Sequence, residues 1–419
     1  MLTNAPRGTK DILPDQVYKW QYVENVFKNI CSKYGFDEIR TPTFEYTDLF
    51  KRGVGDTTDI VEKQMYSFDD YGGRNLTLKP EGTAPVVRAF IENKLYSDLL
   101  PAKYFYIIPC FRYEKPQAGR MREFHQFGIE IFGSDNMMAD AEVIGLAMDF
   151  LEQLSIDALE LHINSIGCPN CRVGYRTVLK EFLKDKYETL CDTCKTRYER
   201  NPMRILDCKS EVCQSLVVGA PKILDYICED CEIAFAALKQ DLNAMGIEYE
   251  VDPGIVRGLD YYTKTAFEII SKNIGAQGTV CGGGRYDNLI EQVGGPATPG
   301  VGFGMGIERL LLVMEKSNIV IPKDDEIDVF LAVIGDKAQS FGINLTRQLR
   351  KNGFKVQMDL KARAIKHQFK YADRLKARYT IVIGDNELES QMVSIKNMTT
   401  SEQTMVAVRD IIKTLTKLR

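Results

Sequence analysis

Hydrophobic residues recur every three or four positions along several stretches of the chain, and this spacing predicts helices. Residues 15–34 are an example, in which Val23, Phe27 and their neighbours form one apolar face. Asp15 is suited to cap the first turn, and Gly35 to end the helix in the left-handed conformation. The same spacing predicts further helices at residues 84–95, 139–154, 307–316, 338–351 and 364–377.

Short runs rich in β-branched and aromatic residues predict strands between these helices. In the N-terminal part they follow one another through short links, which favours an antiparallel sheet flanked by helices. The predicted strands of this part are 36–40, 76–79, 103–108, 111–114, 123–132, 159–163, 266–270 and 278–281.

From residue 329 onward, strands and helices alternate. Strands at 329–334, 354–358 and 379–383 are separated by the last two predicted helices. This order is typical of a small α/β domain with a partly parallel sheet. Residues 318–326 contain Pro322 and several acidic residues, and predict a linker before it. We therefore expect an α+β fold with a separate C-terminal α/β domain.

The chain has 419 residues, of which 44% are hydrophobic and 27% are charged. This composition is typical of a globular protein with two or three domains. No apolar run approaches the roughly 20 residues that cross a bilayer. Residues 1–7 lack the hydrophobic stretch of a signal peptide. We therefore expect a cytoplasmic protein whose thiols stay reduced.

Charge is distributed unevenly along the chain. Residues 329–419 contain seventeen Lys and Arg against eight Asp and Glu, a net charge of +9. The remaining 37 basic and 50 acidic residues give residues 1–328 a net charge of −13. A basic terminal domain on an acidic body indicates a polyanionic partner, although an ordinary solvated surface is the alternative.

One predicted strand pair has an unusual polar face. Side chains alternate along a strand, so Gln126 and Glu130 share a face, with Gly128 leaving space between them. Arg112 and Glu114 lie on the preceding predicted strand. Because the neighbouring strands are apolar enough to be central, we interpret this face as a binding surface. A solvated face is the alternative.

A second polar cluster lies within residues 257–263. Arg257 and two adjacent phenols, Tyr261 and Tyr262, are suited to a small polar ligand with anionic charge. Arg309 follows alternating glycines that allow close backbone approach to a ligand. The sequence has no Walker loop, so nucleotide binding would rest on arginines and a divalent metal. No Ser-His or Cys-His pairing is evident, which favours catalysis by orientation and charge stabilisation.

Eight of the eleven cysteines fall in one region and form four pairs. Three of these pairs have Cys-x-x-Cys spacing, which in a reducing compartment favours structural zinc over disulfides. Free buried thiols are the alternative, and the spacing does not decide which pairs meet. The candidate zinc ligands are Cys168, Cys171, Cys191, Cys194, Cys208, Cys213, Cys228 and Cys231.

Taken together, these motifs resemble the histidyl-tRNA synthetases, a family of class II aminoacyl-tRNA synthetases. Residues 7–14 resemble the family's N-terminal signature, and 35–45, 111–126 and 302–309 resemble class II motifs 1, 2 and 3. Two segments resemble stretches specific to the histidine enzyme. These are 78–83 and 257–263.

The resemblance implies roles for individual residues. Arg112, Arg257 and Arg309 would act in catalysis, and Gln117 would contact the tRNA acceptor end. The implied histidine-binding residues are Glu81, Gly82, Thr83, Arg112, Gln126, Glu130, Arg257, Tyr261 and Tyr262. The implied ATP-binding residues are Arg112, Glu114, Arg120 and Arg309.

The resemblance also implies an organisation and a reaction. Residues 1–166 and 241–322 would form the catalytic domain, 167–240 a helical, Cys-rich insertion, and 328–419 the anticodon-binding domain. The implied enzyme is a homodimer that uses ATP and Mg²⁺ to join L-histidine to tRNA(His), releasing AMP and pyrophosphate. A regulatory paralogue that does not charge tRNA is one alternative, although such paralogues usually lack the C-terminal domain. A nonenzymatic RNA-binding module is another.

Overall fold

The computed structural model describes residues 3–55, 58–272, 278–323 and 325–418. They form two compact units, divided between Ile321 and Pro322. Of the sequence predictions, Met1 and Leu2 of the N-terminal segment and Asp324 of the predicted linker lie outside the described residues.

The first unit combines strands with helices throughout its length. In chain order its elements are α1 (Val17–Lys33), β1 (Asp37–Glu38), β2 (Phe44–Tyr46), α2 (Thr47–Val54), a π-helical turn (Ile60–Gln64), β3 (Tyr66–Asp69), β4 (Asn75–Leu78), α3 (Thr83–Glu92), β5 (Ala102–Phe111), β6 (Glu123–Phe132), α4 (Met138–Gln153), β7 (Leu159–Ser165), α5 (Pro169–Lys184), α6 (Asp192–Arg200), α7 (Glu211–Leu216), α8 (Glu229–Ala244), β8 (Glu250–Val251), β9 (Thr263–Ser271), β10 (Thr279–Arg285), α9 (Leu289–Gln292), β11 (Gly300–Gly306) and α10 (Ile307–Lys316).

An eight-stranded sheet dominates this unit, with the order β1-β5-β6-β11-β10-β9-β7-β8. Its six central strands pair antiparallel, and the short strands β1 and β8 add parallel pairs at the two edges. The predicted antiparallel sheet is therefore confirmed. A separate three-stranded sheet has the order β2-β4-β3.

One face of the large sheet packs against α1 and α4. Phe127, Ile129 and Ile131 of β6 are buried in this core, as their alternation in the sequence predicted. Phe27 of α1 stacks on Phe127 with ring centroids 4.5 Å apart, and Phe150 of α4 meets both rings edge to face. Because successive side chains alternate, the other face of β6 is free to present polar groups.

The prediction for the ends of α1 was half right. Gly35 ends the helix with φ +75°, as expected. The predicted Asp15 cap is wrong, because the residue before the helix is Gln16 and no described side chain caps it. Instead, the backbone N–H groups of Gln16 and Val17 both donate to the carbonyl oxygen of Leu13, at 2.8 and 2.9 Å. A backbone turn thus replaces the side-chain cap.

The prediction of two strands at 103–108 and 111–114 is also wrong. A single strand, β5, runs through Pro109 and ends at Phe111, so Arg112 and Glu114 lie beyond the strand. Proline is tolerated where its missing N–H has no partner to lose. At Pro109 this holds, because β1 pairs only with residues 104 and 105 on that side of β5.

The stretch between β7 and β9 is mostly helical. Besides α5 to α8 it contains 3₁₀ turns at Tyr187–Thr189, Pro202–Ile205 and Ile223–Tyr226. Tyr175 and Leu179 of α5 are completely buried in a cluster that also includes Cys194, Cys208 and Cys213 of this region. The predicted helical, Cys-rich character of this region therefore agrees with the structure.

The second unit is an α/β arrangement. Its elements are β12 (Ile327–Val333), α11 (Asp336–Lys351), β13 (Val356–Met358), α12 (Ile365–Arg374), β14 (Ala377–Ile383), α13 (Asp385–Ser390), β15 (Met392–Asn397), β16 (Gln403–Ala407) and α14 (Ile411–Leu418). The sheet order is β13-β12-β14-β15-β16, with parallel pairs at β12 and antiparallel pairs at β15. The predicted partly parallel sheet is confirmed, although the last two strands and α13 and α14 were not predicted.

No helix within the described ranges is long and apolar enough to cross a membrane.

Candidate active site

A buried carboxylate lies at the centre of the polar sheet face. Glu130 of β6 is completely inaccessible to solvent. Its Oε1 accepts hydrogen bonds from Thr83 Oγ1 at 2.8 Å and from the Tyr106 hydroxyl at 3.0 Å. Its Oε2 accepts a hydrogen bond from the Tyr286 hydroxyl. Three elements distant in sequence thus converge on one side chain.

This environment changes the acidity of Glu130. Burial raises its pKa, the nearby carboxylate of Glu81 adds to this, and the three hydrogen bonds oppose both effects; together they raise the pKa of Glu130 to about 8. Loss of hydration disfavours the charged form of any buried carboxyl group. Glu130 therefore changes protonation state near neutral pH.

We call the region around the Glu130 carboxylate and its donors Thr83, Tyr106 and Tyr286 the Glu130 recess, and glycines in β11 make room for it. Gly302 pairs with Glu130 and Gly304 pairs with Gly128 in the register of β11 and β6. A Cβ at position 302 would overlap the Glu130 carboxylate, and one at 304 would overlap the amide of Gln126. The alternating glycines therefore serve the polar side chains of β6, which is a role that spacing alone did not indicate.

Glu81 and Thr83 lie at the start of α3. The Glu81 carboxylate accepts hydrogen bonds from the backbone N–H groups of Thr83 and Ala84, at 2.8 and 2.7 Å. Burial raises the pKa of Glu81. Gly82 precedes the helix, and a Cβ there would overlap the ring of Tyr106. This segment therefore brings a second buried carboxylate beside the Glu130 recess.

Aromatic rings form one wall of the recess. Tyr261 and Tyr262 are both buried, and their ring centroids lie 4.6 Å apart. Tyr286 meets Tyr261 edge to face at 5.5 Å. Flat apolar surfaces with polar tips are suited to hold a small planar ligand.

Arg257 lies next to this wall. One of its terminal nitrogens donates to Glu268 Oε1 at 2.6 Å, and its guanidinium carbon lies 5.4 Å from the centre of the Tyr262 ring. Its Nε is buried and has no hydrogen-bond partner among the described residues. A Cβ at Gly282 would overlap the guanidinium. Arg257 thus retains a donor that no described group satisfies.

Arg112 follows β5 and lines a cleft that Arg257 also lines. Its Nε donates to the carbonyl oxygen of Pro80 at 2.8 Å, and its guanidinium lies over the Phe124 ring at 5.2 Å. The carbonyl of Pro80 immediately precedes Glu81, so Arg112 is fixed against the segment that starts α3. The sequence analysis predicted that Arg112 lies on a strand. In the structure Arg112 lies beyond the end of β5, and its hydrogen bond to the Pro80 carbonyl orients it.

The loop between β5 and β6 forms a tight turn. Gln117 and Arg120 exchange backbone hydrogen bonds at 3.0 and 2.9 Å, and Gly119 has φ +70°. Arg120 forms an ion pair with Glu114 at 2.6 Å. The Gln117 side chain is exposed. The turn therefore points Arg120 inward and Gln117 outward.

Arg309 of α10 completes the cleft. One of its terminal nitrogens donates to the carbonyl oxygen of Thr279 at 3.0 Å. Burial lowers its pKa, and the nearby positive charge of Arg120 lowers it further. The charged residues that line this cleft include Arg112, Glu114, Arg120, Asp207, Lys209, Arg257, Glu268 and Arg309.

The eight candidate metal ligands separate into two groups of four, and two of them, Cys191 and Cys208, line a cavity together with Arg112, Arg120 and Arg257. Each group brings its four sulfur atoms within 4.8 Å of one another. The first contains Cys168, Cys171, Cys228 and Cys231, and the second contains Cys191, Cys194, Cys208 and Cys213.

Sequence reasoning missed three contributors to the site. Tyr106 and Tyr286 donate to Glu130, and Glu268 pairs with Arg257. The glycine run directly before Arg285 and Tyr286 was a usable signal, because three consecutive glycines in a strand mark a close approach. Glu268 and Tyr106 lie in ordinary strand sequences and carried no such signal.

Comparisons with known proteins agree with the site described above. A family model described as histidyl-tRNA synthetase matches residues 8–173 and 206–310, and one described as an anticodon binding domain matches residues 328–418. A protein named histidine--tRNA ligase from Caldanaerobacter subterraneus subsp. tengcongensis is 60% identical over 415 residues, covering 99% of this chain and 100% of that protein. The chain belongs to the histidyl-tRNA synthetase family.

Two further relatives extend the match. A histidine--tRNA ligase from Clostridioides difficile is 55% identical over 416 residues, covering 99% of each chain. The crystal structure of apo S. aureus histidyl-tRNA synthetase is similar with a TM-score of 0.85 at 39% identity, covering 99% of this chain and 100% of that one. The resemblance drawn from the motifs, and the class II fold it implied, are therefore confirmed for this histidyl-tRNA synthetase family member.

Proposed function

We propose that the chain is a histidine–tRNA ligase, which activates L-histidine with ATP and transfers it to the 3′ end of tRNA(His). The observation that carries this proposal is the adjacency of the Glu130 recess to an arginine-lined cleft, in a chain that resembles named histidine–tRNA ligases over its full length. The recess is suited to a small polar side chain, and the cleft to phosphates.

The proposed histidine site comprises Glu81, Gly82, Thr83, Gln126, Glu130, Tyr261 and Tyr262, with Arg112 and Arg257 at its edge. Imidazole has one donor and one acceptor nitrogen when neutral. Glu130 and Gln126 offer groups that match both, and the tyrosines enclose the ring. Burial supports selectivity, since a site built to hydrogen-bond a substrate rejects analogues that lack the group by about 10⁴–10⁵.

The proposed ATP site lies in the cleft. Arg112, Arg120 and Arg309 would bind phosphates, because guanidinium groups pair with phosphate oxygens through two parallel hydrogen bonds. Glu114 would fix Arg120 through their ion pair. Carboxylate oxygens suit Mg²⁺, and Glu114 and Glu268 supply them in this cleft. When bound, Mg²⁺ would neutralise phosphate charge.

The proposed reaction follows from the placement of the histidine site beside the ATP site. A carboxylate oxygen of histidine attacks the α-phosphorus of ATP, the bond from that phosphorus to the bridging oxygen breaks, and pyrophosphate leaves. A ribose hydroxyl at the tRNA 3′ end next attacks the acyl carbon, releasing AMP. Negative charge grows on the α-phosphate in the first step. The unsatisfied Nε of Arg257 supports a role in stabilising that charge.

The tRNA would be bound at separate places. Residues 328–419, proposed as the anticodon-binding domain, are strongly basic, and residues 328–418 match an anticodon-binding model, which supports anticodon recognition there. Exposed Gln117 is proposed to contact the acceptor end. Residues 167–240 are proposed as the insertion between the catalytic segments 1–166 and 241–322. We also propose that the enzyme is a cytoplasmic homodimer.

A charging assay tests the proposal. Purified chain, ATP, Mg²⁺ and bacterial tRNA are incubated with radiolabelled histidine, and acid-precipitable label is counted. The proposal predicts label that depends on ATP and tRNA and is lost on base hydrolysis. A regulatory paralogue would bind histidine without charging tRNA, and that outcome would overturn the proposed function.

A further inference from the structure

Four separated cysteine pairs meet as two groups of four thiols. All eleven cysteines of the chain are free thiols. We define site A as Cys168, Cys171, Cys228 and Cys231, and site B as Cys191, Cys194, Cys208 and Cys213. Each site joins one Cys-x-x-Cys pair to a second pair that lies further along the chain. The pairing that spacing left open is therefore fixed by the fold.

The sulfur separations in site A suit a single metal ion. Cys168 Sγ lies 3.5 Å from Cys171 Sγ and 4.0 Å from Cys228 Sγ, and Cys171 Sγ lies 3.9 Å from Cys231 Sγ. Four sulfurs placed 2.3 Å from a central zinc are separated by about 3.8 Å. A disulfide needs about 2.05 Å, which these separations exceed.

The backbone around site A favours thiolates. Cys168 and Cys228 are the residues directly before α5 and α8, so both pairs lie at helix N-termini. The backbone N–H of Cys228 donates to Cys171 Sγ at 3.1 Å. Exposed N–H groups and the positive end of the helix dipole stabilise anionic sulfur.

Site B has the same chemistry. Cys191 directly precedes α6, and its N–H donates to Cys213 Sγ at 3.4 Å. Cys191 Sγ lies 3.9 Å from Cys208 Sγ. Cys194 and Cys213 are completely buried. The match to the family model breaks between residues 173 and 206, so Cys191 and Cys194 lie outside the matched residues.

We propose that sites A and B each bind one zinc ion through four thiolates. Tetrahedral sulfur sets select zinc or iron. A 4Fe–4S cluster attaches each thiolate to a different iron atom and a 2Fe–2S cluster divides the four thiolates between two irons, so either cluster spreads the sulfurs further apart than a single ion does. The separations observed in both sites correspond to a single ion.

Both sites lie beside residues that hold the segment 257–262. Arg172, next to Cys171 of site A, donates to the carbonyl oxygen of Tyr262 at 2.9 Å. Two residues that lie between Cys194 and Cys208 of site B in the sequence contact the same segment. Arg204 donates to the Gly258 carbonyl at 3.1 Å, and Asn201 donates to Asp260 at 2.8 Å. The two zinc ions therefore position the segment that carries Arg257, and this part of the inference rests on the proposed function.

Metal content tests the sites without reference to activity. Full-length protein purified without added zinc is analysed by mass spectrometry for zinc and iron. We expect about two zinc ions per chain in the unaltered protein and in the buried-cysteine control Cys31→Ala. We expect about one in the site A variant (Cys228→Ser with Cys231→Ser) and in the site B variant (Cys208→Ser with Cys213→Ser). One zinc per chain or less in the unaltered protein, or iron in place of zinc, overturns the proposal.

Cobalt substitution gives a second readout that does not depend on variants. Zinc is removed from the unaltered protein and replaced by Co²⁺, and the absorption spectrum is recorded. Tetrahedral thiolate coordination predicts visible ligand-field bands together with near-ultraviolet sulfur-to-cobalt charge-transfer bands for two ions per chain. Spectra of six-coordinate cobalt alone would overturn the assignment.

Hydrogen exchange tests the positioning role. We expect amide exchange in residues 257–262 to quicken by at least tenfold in the site B variant and to stay unchanged in Cys31→Ala. Unchanged exchange in a site B variant that has lost its zinc would overturn the positioning role while leaving the metal sites intact. Metal analysis, cobalt substitution and hydrogen exchange all give results that do not depend on whether histidine is the substrate.

Discussion

Gly302 lies directly opposite Glu130 in the register of β11 and β6, and a Cβ at position 302 would overlap the Glu130 carboxylate. The backbone of β11 thus forms part of the recess around that carboxylate. A single methyl group at this position displaces either Glu130 or the strand.

We predict that Gly302→Ala raises the KM for histidine at least tenfold in pyrophosphate exchange, because the added Cβ displaces Glu130 from its three donors. Gly174→Ala is the matched control, since a Cβ at Gly174 of α5 meets no atom within 4 Å. Replacing a helix glycine by alanine there should stabilise the protein by about 0.5–1 kcal/mol without changing the KM. Equal KM values for the two variants would contradict the described geometry.

The raised pKa of Glu130 predicts a pH-dependent stability. Its pKa rises from the ordinary value of 4.5 to about 8 on folding, so the folded protein holds this proton more tightly than the unfolded chain. The resulting stabilisation is complete below pH 4.5 and is lost as the pH rises through 8.

Glu130→Gln removes this titration while keeping the side-chain shape. Relative to the variant, the unaltered protein should therefore lose roughly 2–4 kcal/mol of unfolding free energy between pH 5 and pH 8. Urea unfolding at each pH measures the difference. A constant difference across this range would show that Glu130 titrates at an ordinary pKa.

Arg257→Ala should reduce histidine-dependent pyrophosphate exchange by about 10²–10³ while leaving the fold intact, because it removes one preorganised positive charge. Arg74→Ala is the control, since Arg74 forms an exposed ion pair with Asp70. Exchange by Arg257→Ala at the unaltered rate would remove Arg257 from the catalytic role proposed for it.

Asp140→Asn should destabilise the first unit by about 3–5 kcal/mol. Arg285 and Asp140 form an ion pair that is completely buried, and loss of Asp140 leaves the buried guanidinium with Asp287, 3.1 Å from Nη1, as its remaining ion-pair partner among the described residues. Glu181→Gln, which breaks the exposed pair with Lys184, should change stability by less than about 1 kcal/mol. Similar losses in both variants, measured by urea unfolding, would contradict this assignment.

Much of the fold follows from local sequence patterns. The alternation in β6 predicted that Phe127, Ile129 and Ile131 face the core while Gln126 and Glu130 face a site, because side-chain direction in a strand depends only on residue spacing. The strand break predicted at Pro109 is wrong, because the effect of this proline does not depend on local sequence alone. Whether a proline interrupts a sheet depends on the neighbouring strand, and that neighbour is set by the tertiary fold.

Local sequence patterns could not identify the hydrogen-bond donors to Glu130. Tyr106 and Tyr286 lie 24 and 156 positions away in the chain, and only the strand order brings them together. The cysteine pairing was hidden in the same way, since Cys168 meets Cys228 across 60 positions. The resemblance to a known family supplied site residues that periodicity could not identify.

The most direct test of the central claim is ATP–pyrophosphate exchange measured separately with each of the twenty amino acids. A recess built around Glu130 and enclosed by tyrosines beside an arginine-lined cleft predicts that histidine supports exchange at least 10³ times faster than any other amino acid. Exchange supported by a different amino acid, or none with histidine, would contradict the account.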